Sequence, residues 1–224
     1  MHVIPHPERQ TNFVNCGADI NIPVGEVFTT PRLTGTSGVL HIEETYLSGL
    51  RYRNLELVFK DGYVVDYSCS NFDSQHENKR YIEENLLFPH KTLPVGEFAI
   101  GTNTRAYVLA KKYNILHLLP ILIIEKMGPH FAIGDSCFAL EEDVPAYNPI
   151  DNKEIIARDN EKSALRKTDV KNAYVFRHID ITIPYESIAS IAAVTKAGHR
   201  IDIIRDGRFV VPGSEDLNKA FDTQ

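Results

Sequence analysis

An α+β fold, mostly antiparallel β with a curled or barrel-like sheet and one main helix near residues 73–87, is what this 224-residue sequence predicts. Three observations carry it. Residues 53–60, RNLELVFK, set Leu55, Leu57 and Phe59 against Asn54, Glu56 and Val58, and Asp61-Gly62 follows as a hairpin turn. The C-terminal quarter repeats that grammar, with turns at Ala197-Gly198 and Asp206-Gly207 between short β-prone runs. Between them, residues 71–87 change to acidic, basic and amide side chains around Tyr81, Ile82, Leu86 and Leu87, and Pro89 closes the segment.

In chain order, residues 1–20 read as an arm or linker remnant, residues 21–212 as the main domain, and 213–224 as a polar tail. A first short strand occupies 22–30, TGTSG turns the chain, and 39–42 resumes as strand. The hairpin 53–67 comes next, then the helix from about Asp73 to Leu87, capped near Asn71 or Asp73. A strand at 96–100 is followed by a helix at 105–113 with a stripe of Ala106, Leu109 and Ala110. Residues 120–125 read as an apolar strand broken by Met127-Gly128-Pro129, with a short strand or loop at 131–134. Residues 141–171 form a charged surface excursion with a helical turn or two around 160–166. Residues 172–184 are strongly β-prone, and 189–211 complete the C-terminal hairpins.

Bulk properties exclude several classes. The formal charge of −6 and the lack of a basic stripe argue against nucleic acid. The longest apolar run, 116–124, is interrupted by Pro120 and is too short to span a bilayer. Residues 1–10 lack a signal-type apolar core. Cys16, Cys69 and Cys137 are odd in number and form no CxxC, which suits reduced thiols in a cytoplasmic protein.

Candidate chemistry begins with a near-repeat. Pro23-Val24-Gly25-Glu26 and Pro94-Val95-Gly96-Glu97 each lead into an apolar strand, and each is followed by a Gly-Thr turn. A carboxylate carried inward needs a positive partner; on the surface both are turn glutamates. His178 and Asp180, two apart in a strand, project from one face, where they can share a metal ion or form an ion pair on a solvated face. Glu125 and His130 are separated by four residues that include Gly128-Pro129, and need a loop to converge. Otherwise Glu125 ends an apolar strand and His130 is a buried imidazole. Together Glu26, Glu97, Glu125, His130, His178 and Asp180 exceed one tetrahedral zinc site. They suit two divalent ions sharing a carboxylate: zinc, cobalt or manganese, with magnesium also compatible. The other histidines read as surface or packing residues.

The order of these segments resembles the aminopeptidase T/aminopeptidase S family of metallopeptidases (leucyl aminopeptidase II, thermophilic metalloproteases). The matches are Pro23 to Pro31, the Lys-Asp-Gly hairpin at 60–62, Gly96-Glu97 with Gly101-Thr102-Asn103, Glu125 with His130 to Gly134, and His178 with Asp180. The resemblance covers about residues 17–212, making 21–212 a metallopeptidase catalytic domain. It implies hydrolysis of N-terminal residues from peptides through a two-metal activated water. All six residues become ligands, Glu97 the bridge, and Glu125 a ligand or the general base. It also implies a homodimer.

Three departures stand out. The resemblance is to the C-terminal half only, so the N-terminal half of a longer parent chain is expected as a partner. Cys137 stands where the family has a tyrosine that aids catalysis, and residues 141–171 lengthen the gap between His130 and His178. The alternative is a non-catalytic, metal-bearing domain that binds peptides or dimerises within a larger protein.

Overall fold

The computed structural model of the chain describes residues 13–16, 24–136, 146–147, 154–155 and 159–223. Its strands are β1 (Val14–Cys16), β2 (Glu26–Thr29), β3 (Gly38–Leu47), β4 (Leu50–Lys60), β5 (Tyr63–Ser68), β6 (Val95–Gly101), β7 (Pro129–Gly134), β8 (Ala146–Tyr147), β9 (Glu154–Ile155), β10 (His178–Thr182), β11 (Ser190–Val194), β12 (Arg200–Arg205) and β13 (Arg208–Phe209). Its α-helices are α1 (Gln75–Ile82), α2 (Thr104–Lys112), α3 (Ile121–Ile124), α4 (Val170–Ala173) and α5 (Lys219–Asp222). The fold is α+β and mostly antiparallel. Its largest sheet is open, with the order β1-β2-β6-β7-β10, and does not close into a barrel.

Two compact units divide the chain. The first comprises Met1–Asn15, Val27–Ala99 and Phe131–Ile181. It holds the β3-β4-β5 meander, whose register pairs Leu40 with Leu57 and Ile42 with Leu55. These four side chains are buried on one face, as the alternation predicts. Asp61-Gly62 turns the second hairpin with both residues at positive φ (48° and 77°), a two-residue turn of the favoured hand. The first hairpin turns at Ser48-Gly49, also at positive φ. It makes β3 ten residues long instead of ending at Ile42.

Helix α1 begins later than the sequence suggests. Ser74, not Asn71 or Asp73, is the cap and accepts from the Glu77 N–H at 3.4 Å. The last turn widens to a π-helix at Glu83–Leu87 before Pro89, and Ile82, Leu86 and Leu87 line the core.

In the same unit the described end of the charged excursion, residues 159–171, is exposed at 167–171 but anchored at Asn160, Ser163 and Arg166, which are buried. Glu161 accepts the Leu33 and Thr34 N–H groups at 2.8 and 3.0 Å, and Arg166 is buried against Asp159. The helical turn expected around 160–166 is a 3-10 segment, Ser163–Lys167. Most of residues 137–158, Cys137 among them, lies outside the described residues. The β-prone run 172–184 is strand only at β10, because α4 occupies its start and Phe176 takes φ +56°.

The second unit comprises Cys16–Glu26, Ile100–His130 and Thr182–Gln224. The expected hairpins appear as the β11-β12-β13 sheet. Residues 120–125 are helical rather than extended: α3 and a 3-10 turn at Glu125–Met127 follow Pro120, whose fixed φ suits a helix start. Helix α2 buries Thr104, Tyr107 and Ala110, while Leu109 of the expected stripe is exposed. Tyr107 is the anchor. Its ring packs edge-on to Tyr185 and Phe221, and its hydroxyl donates to Glu186.

Candidate metal centre

Each unit gathers three of the six candidate residues. In the first unit, Glu97 lies on β6, with His178 and Asp180 on β10. Glu97 and Asp180 are buried, and His178 is partly open to solvent. His178 Nε2 lies 3.3 Å from a Glu97 oxygen and 3.3 Å from Asp180 Oδ1. The i, i+2 spacing of a strand accounts for the second distance.

The ring orientation of His178 has a separate cause. Its Nδ1 is 2.6 Å from the Asp135 carbonyl oxygen, which can only accept, so Nδ1 carries the proton. Nε2 is left facing two carboxylate oxygens. That is repulsive unless a proton or a metal ion joins them. Asp180 Oδ1 is buried with no hydrogen-bond partner among the described residues, a costly condition that a cation would relieve. The ligand atoms of Glu97, His178 and Asp180 lie within 4.8 Å of one another. One imidazole and two carboxylates suit zinc, cobalt or manganese. This donor set fits a divalent ion.

Gly96 makes room for the arrangement. A Cβ there would stand 2.1 Å from the same Asp135 carbonyl oxygen that holds His178. Asp135 is further fixed by its N–H to the Arg177 carbonyl (2.6 Å) and by its carboxylate, which accepts the Val175 N–H (2.7 Å). Sequence reasoning missed Asp135, since a main-chain acceptor has no signature of its own. The signal within reach was its place directly after Gly134.

In the second unit, Glu26 meets His130 directly, and Glu125 joins Glu26 through a shared lysine. The 3-10 turn supplies Glu125. An extended Gly128 (φ −173°) then ends the turn and leads into β7, which carries His130. His130 Nε2 lies 3.0 Å from Glu26 Oε1, and its Nδ1 is 3.1 Å from the Gly128 carbonyl oxygen, the same main-chain tethering as at His178.

This cluster also contains a residue that the sequence analysis passed over. Lys126 is 1% exposed, and its ammonium donates to Glu26 Oε2 and Glu125 Oε1. Burial alone would lower its pKa; hydrogen bonds and charge from the two carboxylates outweigh that and hold it above the ordinary lysine value. The available signal was a lysine inside the otherwise apolar run ILIIEKM. Gly101 permits the approach of this backbone, because a Cβ there would meet the Lys126 carbonyl carbon at 2.4 Å and the Glu125 main-chain carbonyl oxygen at 2.5 Å. This donor set already holds a cation of its own and fits a divalent ion less well.

Among the described residues, no helix is long and apolar enough to cross a membrane. The family model described as thermophilic metalloprotease (M29) matches residues 8–209. Among solved structures, wild-type AmpT from Thermus thermophilus is similar, with a TM-score of 0.52 and 21% identity over 85% of this chain. At that identity the likeness speaks for the fold alone. The match spans 41% of that protein's length. No curated protein matches the chain.

Proposed function

The chain belongs to the thermophilic metalloprotease (M29) family, and from that premise we propose that it is a metal-dependent aminopeptidase acting on the N-terminal residues of peptides. One observation carries the reading: His178, with Nδ1 committed to the Asp135 carbonyl, presents Nε2 to Glu97 and Asp180 at equal distances of 3.3 Å. Three electron-pair donors gathered within 4.8 Å of one another, with the imidazole oriented by a main-chain carbonyl, are a set that a divalent ion would fit.

A divalent ion bound there supplies Lewis acidity, which lowers the pKa of water towards neutrality and polarises a scissile carbonyl. Glu97 and Asp180 bring two negative charges into a buried setting, where they hold a cation more firmly than exposed carboxylates do. The Asp135 carbonyl accepts from Nδ1 and so keeps His178 in the tautomer whose Nε2 lone pair can bind a metal ion. The sequence resemblance extends the reading to a second ion at Glu26, Glu125 and His130, and gives Glu125 the proton delivered to the leaving amine. Peptide substrates, a homodimer, an N-terminal partner segment and a cytoplasmic setting rest on that resemblance and on the composition.

A second reading, a non-catalytic metal-bearing module, is favoured by the Lys126 contact. Glu125 Oε1 already accepts from an ammonium, so that oxygen is engaged within the chain rather than free for a metal ion or a substrate proton. The experiment is elemental analysis of the purified protein, followed by hydrolysis of a leucine arylamide with cobalt, zinc or manganese. The aminopeptidase reading expects turnover that chelation removes and Glu97→Gln abolishes. Bound metal without turnover supports the module, and full activity in Glu97→Gln sinks the aminopeptidase.

A further inference from the structure

Lys126 sits where the two-ion reading needs a metal. It follows Glu125 directly, in the 3-10 turn Glu125–Met127, so its backbone cannot move without moving a candidate ligand. The turn is pinned: the Lys126 carbonyl accepts the Asn103 N–H at 2.8 Å, and Gly101 packs against it without room for a Cβ. The four-carbon stem is buried with the ammonium, which bonds one oxygen from each of Glu26 and Glu125. A long, charged side chain stays in such a place only when its charge is matched. The Glu97, His178 and Asp180 cluster differs, because there a buried carboxylate oxygen has no hydrogen-bond donor among the described residues.

We propose that the Lys126 ammonium is the resident cation of the Glu26–Glu125 pair, so that the chain tightly holds one divalent ion, at Glu97, His178 and Asp180, where the family resemblance calls for two. The inference rests on the metallopeptidase reading and narrows it. A divalent ion sharing the oxygens of Glu26 and Glu125 must either displace the ammonium or meet its repulsion at close range. Displacement would leave the ammonium buried without partners, because the pinned turn gives it no short path to solvent. The positive charge at this cluster is therefore built into the chain.

The test is metal stoichiometry. Wild-type protein, Lys126→Met and Lys126→Arg are loaded with zinc or manganese, passed through a desalting column and measured by elemental analysis. Methionine keeps the buried stem and removes the charge; arginine keeps the charge. The expectation is one retained ion in wild type and in Lys126→Arg, and two in Lys126→Met, with the second ion held about 10- to 100-fold more tightly than in wild type. Two ions in wild type, or one in Lys126→Met, overturns the inference and leaves the metallopeptidase reading standing. No ion in any of the three removes that reading itself. If Lys126→Met is unfolded without metal, its melting temperature is followed as manganese is added. Recovery of a cooperative transition supports the inference, and failure to recover overturns it.

Discussion

The two clusters of candidate ligands use the same parts and reach opposite electrostatic states. Each has an imidazole whose Nδ1 is tied to a main-chain carbonyl, at 2.6 Å for His178 and 3.1 Å for His130. Each sets Nε2 against carboxylate oxygen. In the Glu26–Glu125–His130 cluster, Lys126 closes the charge account from inside the chain. In the Glu97–His178–Asp180 cluster, Asp180 Oδ1 is buried without a hydrogen-bond donor among the described residues. Ligand-type residues are thus only half of what makes a metal site. The other half is whether the chain has already supplied a cation.

The largest effect should come from breaking the cation-poor cluster. Asp180→Asn keeps the shape and removes a charge. It should weaken metal binding by more than the roughly 100-fold that an outer hydrogen-bond partner can cost, with little loss of thermal stability when metal is absent. Titration with manganese followed by calorimetry would measure both. Unchanged affinity would mean the cluster is not a ligand set.

The converse change belongs to the cluster that carries its own cation. Glu125→Gln leaves Lys126 with Glu26 alone. It should destabilise the fold by about 3 kcal/mol, near the low end for breaking a buried ion pair, measured by urea unfolding under chelation. A loss below about 1 kcal/mol, the range of exposed pairs, would show that the ammonium is not what holds this region.

A third test probes how the imidazole is aimed. Gly96→Ala pushes a methyl group towards the Asp135 carbonyl oxygen. It should cost about 1–3 kcal/mol as overpacking and also lower metal affinity about tenfold by loosening His178. Loss of stability with unchanged affinity would separate the carbonyl from the site.

The smallest effect concerns an exposed contrast to Lys126. Burial would raise the Glu186 pKa, but hydrogen bonds from Lys111 and Tyr107 outweigh it and hold the carboxyl below its ordinary value. A depressed folded pKa adds stability above the unfolded value, and that stability is lost as pH falls through the folded one. Glu186→Gln should therefore cost at most about 1 kcal/mol at neutral pH, and the difference from wild type should fade in acid. A difference that persists in acid would assign the effect to packing.

The turns were the most legible part of the sequence. Asp61-Gly62, Ala197-Gly198 and Asp206-Gly207 name their hairpins because positive φ selects few residues. Ser48-Gly49 escaped because serine rarely signals that conformation. Residues 120–125 were misread as strand because a short, wholly apolar run has no periodicity to tell strand from helix. On α2 the apolar pattern pointed to Leu109, yet the buried face is set by Tyr107, whose polar tip has a distant partner in Glu186. At the clusters, the ligand-type side chains were readable because their chemistry is local to the residue. Lys126 and the Asp135 carbonyl were not, since their meaning depends on what the fold brings to them.

The tether that orients both imidazoles is made of main chain. The carbonyls of Asp135 and Gly128 remain in place whatever side chain is written at those positions. Substitutions confined to those two positions would leave both acceptors intact and score them as dispensable. Their importance surfaces through a neighbour that crowds the backbone, as Gly96→Ala does, or through an ester in place of the peptide bond, which weakens the carbonyl as an acceptor. Crowding from nearby glycines and chemical synthesis, rather than a scan of the tethering residues themselves, are the tools matched to this part of the protein.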